Sequence, residues 1–120
     1  MGILTDEDVQ ELLANGREQK AARERGEVID HKPVVRIFAV MSDAYWLISE
    51  INPDKPDEAF GLAELRSGQA EMGDIYISEL DELYKSHPVP PIERDNFWTA
   101  DLTLSGYWFA RKNGLRGKNP

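Results

Sequence analysis

Apolar residues along this chain recur with two periods. In ILTDEDVQELLANG (residues 3–16), Val9, Leu12 and Leu13 fall at i, i+3 and i+4, the stripe of an amphipathic helix. Thr5 stands where it can cap the free amides of the first turn, and Asp6, Glu7 and Asp8 follow at the positive end of the helix dipole. Leu4 and Val9 have the spacing of a hydrophobic staple. Asn15 and Gly16 read as the stop. The next stretch, REQKAARERGE (17–27), keeps helical propensity but offers only alanine as apolar residues. Residues 17–32 are therefore predicted to be a solvated helix extension or a mobile arm.

A period of two takes over at PVVRIFAV (33–40), which is rich in β-branched residues and predicts a strand. In AYWLISEI (44–51), alternation puts Trp46, Ile48 and Glu50 on one face and Tyr45, Leu47, Ser49 and Ile51 on the other. AFGLAEL (59–65) and GDIYIS (73–78) supply two further strands, and the short links predict an antiparallel meander. SELDELYKSH (78–87) reads as a short helix capped by Ser78, with Leu80, Leu83 and Tyr84 as its apolar stripe. Pro88, Pro90 and Pro91 keep the next stretch extended. LTLSGYWFARKNG (102–114) predicts a last helix despite Gly106. Consecutive helical positions lie about 100° apart, so Tyr107, Trp108 and Phe109 cannot all be buried on one face. The expected fold is α+β: an antiparallel sheet of about four strands with two or three helices packed on one face. A single domain over residues 1–120 is expected, with 115–120 as a disordered basic tail.

Composition narrows the function. The chain has 120 residues and no cysteine, which removes disulfides, thiolate metal sites and cysteine nucleophiles together. No apolar run approaches the roughly 18 residues of a membrane-spanning helix, and the N-terminus lacks the pattern of a secretory signal. A cytoplasmic protein without membrane contact is expected. The net charge is −8, unevenly spread: residues 37–110 hold 14 acids and 4 bases, whereas 111–120 hold 4 bases and no acid. Nucleic-acid binding needs clustered lysine and arginine to neutralise phosphates, so the acidic body is the wrong sign for direct contact. Its field would attract a basic protein surface.

Candidate chemistry is sparse. The knot NPDKPDEAFG (52–61) brings Asp54, Asp57 and Glu58 together. Two prolines replace the alternating acids and central glycine of a calcium loop, so an acidic turn is the simpler reading. His31 and His87 lie far apart in sequence, in no metal-ligand or triad spacing. Glu93, Arg94 and Asp95 could form an acid/base or ligand-binding cluster if they converge; an ion pair orienting the chain beside Phe97 and Trp98 is the plainer reading. The candidate binding residues are Asp54, Asp57, Glu58, Asp81, Glu82, Glu93, Arg94 and Asp95. No catalytic residue, metal ligand or cofactor is assigned.

Several stretches together resemble an uncharacterised bacterial family, a domain of unknown function. The most specific part is Trp46, Glu50, Pro53, Pro56 and Asp57 followed by Ala59-Phe60-Gly61-Leu62. Glu71, Gly73, Ser78 to Leu80 and Ile92-Glu93-Arg94-Asp95 complete it. Arg66, Ala70 and Asp74 depart from the usual glycine, proline and tyrosine of that family. The resemblance implies a small acidic protein often carried on plasmids and other mobile elements, and it implies no activity. Two functions are therefore carried forward. One is a non-catalytic acidic interaction protein, a mobile-element inhibitor of a basic, nucleic-acid-binding host-defence protein. The other is a small ligand-binding protein or enzyme that uses Glu93, Arg94 and Asp95.

Overall fold

Residues 2–114 are described by the computed structural model. The element order is α1 (Asp6–Glu24), β1 (Val35–Ala39), β2 (Tyr45–Ile51), β3 (Glu58–Glu64), β4 (Ala70–Tyr76), α2 (Ile77–Lys85), β5 (Ile92–Arg94) and α3 (Leu104–Lys112). The fold is α+β, and the four expected strands form the expected antiparallel meander. A fifth short strand, β5, adds beside β1, giving the order β4-β3-β2-β1-β5. It lies in the stretch expected to be merely extended. Ile92 is buried there, and the carbonyl of Pro91 accepts from the Val40 amide at 3.0 Å.

The sheet is covered on both faces. On the first, Val35, Ile37, Ile48, Ala59, Ile75 and Ile92 pack with Ile3, with Leu12 of α1 and with Leu80 of α2. On the second, Tyr45, Leu47, Leu62 and Ala70 pack with Leu104 and Tyr107 of α3. The expectation of one helical face holds for α1 and α2, while α3 lies opposite. The cause is in β2, which carries large apolar residues at both parities, so each face has to be shielded from water. Half-buried Trp46 packs against the first cluster and half-buried Trp108 against the second. Of the YWF triplet, Tyr107 is buried and Phe109 exposed.

Strict alternation fails within β2. Its register against β3 shifts between Ile48 and Glu50, a β-bulge. Ser49 donates its hydroxyl to the Phe60 carbonyl at 3.1 Å. Beyond the bulge Ile51 joins the first cluster with Ile48, rather than the face of Tyr45 and Leu47.

Helix α1 starts where its sequence predicts. Thr5 and Asp8 form a reciprocal capping box. The helix does not stop at Gly16. A Cβ at that position would lie 1.7 Å from the carbonyl oxygen of Ile51, so glycine is there to let α1 ride on the end of β2. Asn15 donates to the Ser49 carbonyl at 2.9 Å. The helix then continues to Glu24, with Gln19 and Ala22 buried. The linker that follows is held through its backbone at Ile29 and His31 and through the Asp30 side chain. Gln19 donates to the Ile29 carbonyl at 2.7 Å and accepts from the Ile29 amide at 2.9 Å. The His31 carbonyl accepts from the Leu104 amide, and the Asp30 carboxylate accepts from the amide and hydroxyl of Ser105. The expected basic tail, 115–120, lies outside the described residues.

Candidate functional site

The knot between β2 and β3 is built from nested turns. Asn52 accepts from the Asp54 amide through its side chain at 2.9 Å and from the Lys55 amide through its carbonyl at 3.1 Å. The Glu58 amide donates back to the Lys55 carbonyl at 2.8 Å. Pro53 and Pro56 preset φ within this geometry. Asp57 then reaches the start of α2. Its carbonyl accepts from the Ile77 amide at 2.9 Å, and its carboxylate accepts from the Ser78 amide and hydroxyl, both at 2.7 Å. The helix has no side-chain cap at Tyr76, the residue preceding it. Asp57 therefore caps α2 from 21 residues away, and Ser78, expected as the cap, sits inside the first turn as a donor to it. Asp57→Ala is expected to cost about 1–2 kcal/mol, the usual worth of a cap, read as a lower midpoint in urea. An unchanged midpoint would mean that α2 does not depend on the knot.

Beside the knot, a cleft of about 580 Å³ opens between the second half of α1 and the β2–β3 end of the sheet. Five carboxylates line it, from Glu24, Glu50, Asp54, Glu58 and Asp74, against the two bases Lys20 and Arg23. Half-buried Phe60 supplies an apolar side. Lys20 pairs with Asp54 at 2.9 Å, both side chains being largely exposed. Glu50 is held by Gln19 at 3.1 Å and lies 3.4 Å from His31. Register places Glu58 opposite Tyr76 and Phe60 opposite Asp74, so the cleft adjoins Asp57 and the start of α2. Among the described residues, no group of three histidine or carboxylate side chains could hold a metal ion.

The other predicted site residues do not join this cleft. Asp81 accepts from the Ile3 amide at 2.9 Å and so anchors the N-terminal segment, while Glu82 is exposed on α2. Alternation sends Arg94 to one face and leaves Glu93 and Asp95 on the other, so the three do not converge. Arg94 turns to the first face, where its guanidinium donates twice to Asp8, at 2.6 Å each. Asp95 accepts from Arg36 at 3.1 Å, and the Arg36 guanidinium lies 5.2 Å from the centroid of the Phe38 ring. Glu93 points to solvent.

The strongest polar cluster escaped the sequence reading. Glu64, 3% exposed, accepts from Arg111 at 2.8 and 2.9 Å, from the Tyr45 hydroxyl at 2.7 Å and from the Gly68 amide at 2.8 Å. These bonds, Arg111 foremost, hold its carboxyl at about 2 against burial, which acts the other way. Burial and the neighbouring Glu64 together push the Tyr45 hydroxyl well above its ordinary value. Burial also raises the Asp8 carboxyl, but its bonds to Arg94 and Thr5 outweigh that and leave it lowered. Glu64 shares the parity of Leu62, a core position, and an acid at such a position was the available signal. Nothing local announces the Asp8–Arg94 pair. Both clusters pin a helix to the sheet.

Among the described residues, no helix is long and apolar enough to cross a membrane. No curated protein and no solved structure matches the chain. A family model described as "Protein of unknown function (DUF2958)" matches residues 3–115. That span takes in α1, all five strands, α2 and α3, and the chain belongs to the DUF2958 family.

Proposed function

We propose that the protein is a non-catalytic interaction protein that binds a basic protein surface through its acidic corner. The observation behind this reading is the cleft in which Glu24, Glu50, Asp54, Glu58 and Asp74 converge. Asp57 and the exposed Glu79 of α2 extend the same sign of charge around the knot. A concentration of one sign in a concave surface focuses the field and steers an oppositely charged partner. Arginine and lysine side chains of the partner would enter the cleft and lie against Phe60. The reading places the protein in the cytoplasm. The mobile-element setting implied by the family resemblance makes a basic, nucleic-acid-binding host-defence protein, such as a restriction or CRISPR nuclease, the expected target. The ligand-binding or enzymatic alternative needs Glu93, Arg94 and Asp95 to converge, and their divergence gives it no support.

The test is a binding panel of purified restriction and CRISPR nucleases, with duplex DNA as competitor. Binding to at least one is expected, weakened at least tenfold by added DNA, by Glu58→Lys/Asp74→Lys, and by raising salt toward the range where screening acts over about 8–10 Å. Binding that persists unchanged with the double reversal and with saturating DNA would refute charge mimicry.

A further inference from the structure

We infer that the outer edge of β4 receives an extended, basic segment of the partner by strand addition. This rests on the reading above and specifies how the partner is held. β4 is the terminal strand of the sheet, seven residues long, and pairs with β3 in unbroken register from Ala70 to Tyr76. Among the described residues, its backbone from Glu71 to Ile75 makes no hydrogen bond outside the sheet. Such an edge is a ready template for another chain unless it is blunted by proline, lysine, a bulge or a covering element. β4 has no proline, lysine or bulge. The opposite edge is managed differently. β5 has only three residues and follows Pro90 and Pro91.

Gly73 sits at the middle of β4. It does not have positive φ, and a Cβ there would meet nothing within 4 Å. Neither backbone conformation nor packing in the free protein asks for glycine, although glycine weakens a strand. Glycine within a strand marks close approach by another chain or ligand. Gly73 pairs in register with Gly61, and with Ala63 they floor an open concavity of about 310 Å³ that runs along β4. A large side chain from an added strand would lie over this floor, as aromatic residues do over edge glycines.

Charge selects the occupant. Glu71 and Asp74 are exposed on β4 and, among the described residues, make no ion pair or hydrogen bond. Two copies of the protein pairing through this edge would bring two carboxylates from each together, which disfavours self-association. Glu71 shares the face of Gly73 and Ile75, whereas Asp74 shares the face of Ala70, so an added strand with arginine or lysine on both of its faces would meet them with opposite sign. Exposed Met72 and Tyr76 border the same edge and offer apolar contact to the intervening residues. Main-chain hydrogen bonds would supply affinity and the flanking side chains would supply preference.

The probe is a short extended peptide with a central phenylalanine, arginine on both of its strand faces and valine elsewhere. Its control carries the same side chains and is N-methylated at the three central residues. The unmethylated peptide is expected to bind at least about tenfold more tightly than the control, since methylation removes the donors while keeping the charge. Glu71→Lys/Asp74→Lys is expected to weaken it at least about tenfold, and the same net reversal on the exposed side of α1, Glu7→Lys/Glu11→Lys, less than about threefold. Gly73→Val should fill the floor and weaken binding severalfold while keeping or raising Tm, because valine favours strands. Equal binding of both peptides would overturn strand addition and leave the acidic-surface reading standing. So would equal losses from the two charge reversals. If neither peptide binds, strand addition fails, and the nuclease panel decides the broader reading independently.

Discussion

Glu64→Ala is expected to lose about 3–5 kcal/mol of stability at neutral pH, the usual consequence of removing one partner of a buried ion pair. The substitution strands the Arg111 guanidinium, the Tyr45 hydroxyl and the Gly68 amide together. It also releases α3 from the β3–β4 end of the sheet. The same carboxylate sets a pH dependence. Its folded value of about 2 lies below the ordinary 4.5. A depressed carboxylate contributes stability that is present above the unfolded value and lost as pH falls through the folded one. About 3 kcal/mol should disappear between pH 5 and pH 2 on this account, and Asp8, also lowered, adds to the loss in the same direction. Urea midpoints at pH 7, 4 and 2.5 measure it. Glu64→Gln should be less stable at pH 7 and visibly flatter with pH. A Gln variant that keeps the full acid slope would assign that slope to other carboxylates.

Gly16→Val should be nearly as damaging. The added Cβ would overlap the Ile51 carbonyl oxygen at 1.7 Å, and the obstacle is backbone rather than a side chain that can rotate away. Helix α1 would have to lift off β2 by more than 1 Å, loosening the contacts of Leu12 and the Asn15 bond to the Ser49 carbonyl. The expected cost is about 3 kcal/mol or more, at the upper end of overpacking effects. Gly16→Ala should also destabilise, although alanine gains roughly 1 kcal/mol in helix propensity. Denaturation by urea with a helix-sensitive signal checks both variants. A neutral or stabilised Gly16→Ala protein would show that α1 is not seated on β2 in this way.

Gly16 also marks where sequence reading stops being sufficient. A glycine after asparagine looks alike whether it ends a helix or lets one approach a strand, because the deciding atom, the Ile51 oxygen, lies 35 residues away. The cap at Thr5 and the exposure of at least one residue among Tyr107, Trp108 and Phe109 were legible because both follow from local geometry. The second helical face was legible only in part. The two parities of β2 are both apolar, but the assignment of α3 to one of them depends on the chain path after β5. The bulge at Ile48–Glu50 inverted the facing of Ile51, since one extra residue resets the alternation. At the candidate site the acids of the knot could be read as a turn. The task of Asp57 could not, because its partners, Ile77 and Ser78, become neighbours only after β3 and β4 have paired.

Gln19 has a consequence for which substitutions the protein tolerates. Its carboxamide meets the amide and the carbonyl of Ile29 together, as a neighbouring strand would. At Ile29 recognition passes through the main chain, so the side chains just before Asp30 are left largely free, and Val28 is 76% exposed. The burden of holding Ile29 falls on position 19. Glutamate there could accept but not donate, and asparagine is one methylene too short to span the gap from α1. Proline at position 29 would remove the donor. Sequence drift across residues 27–29 is thus cheap in every direction except that one, whereas Asp30, which holds Ser105, and position 19 have no equivalent replacement.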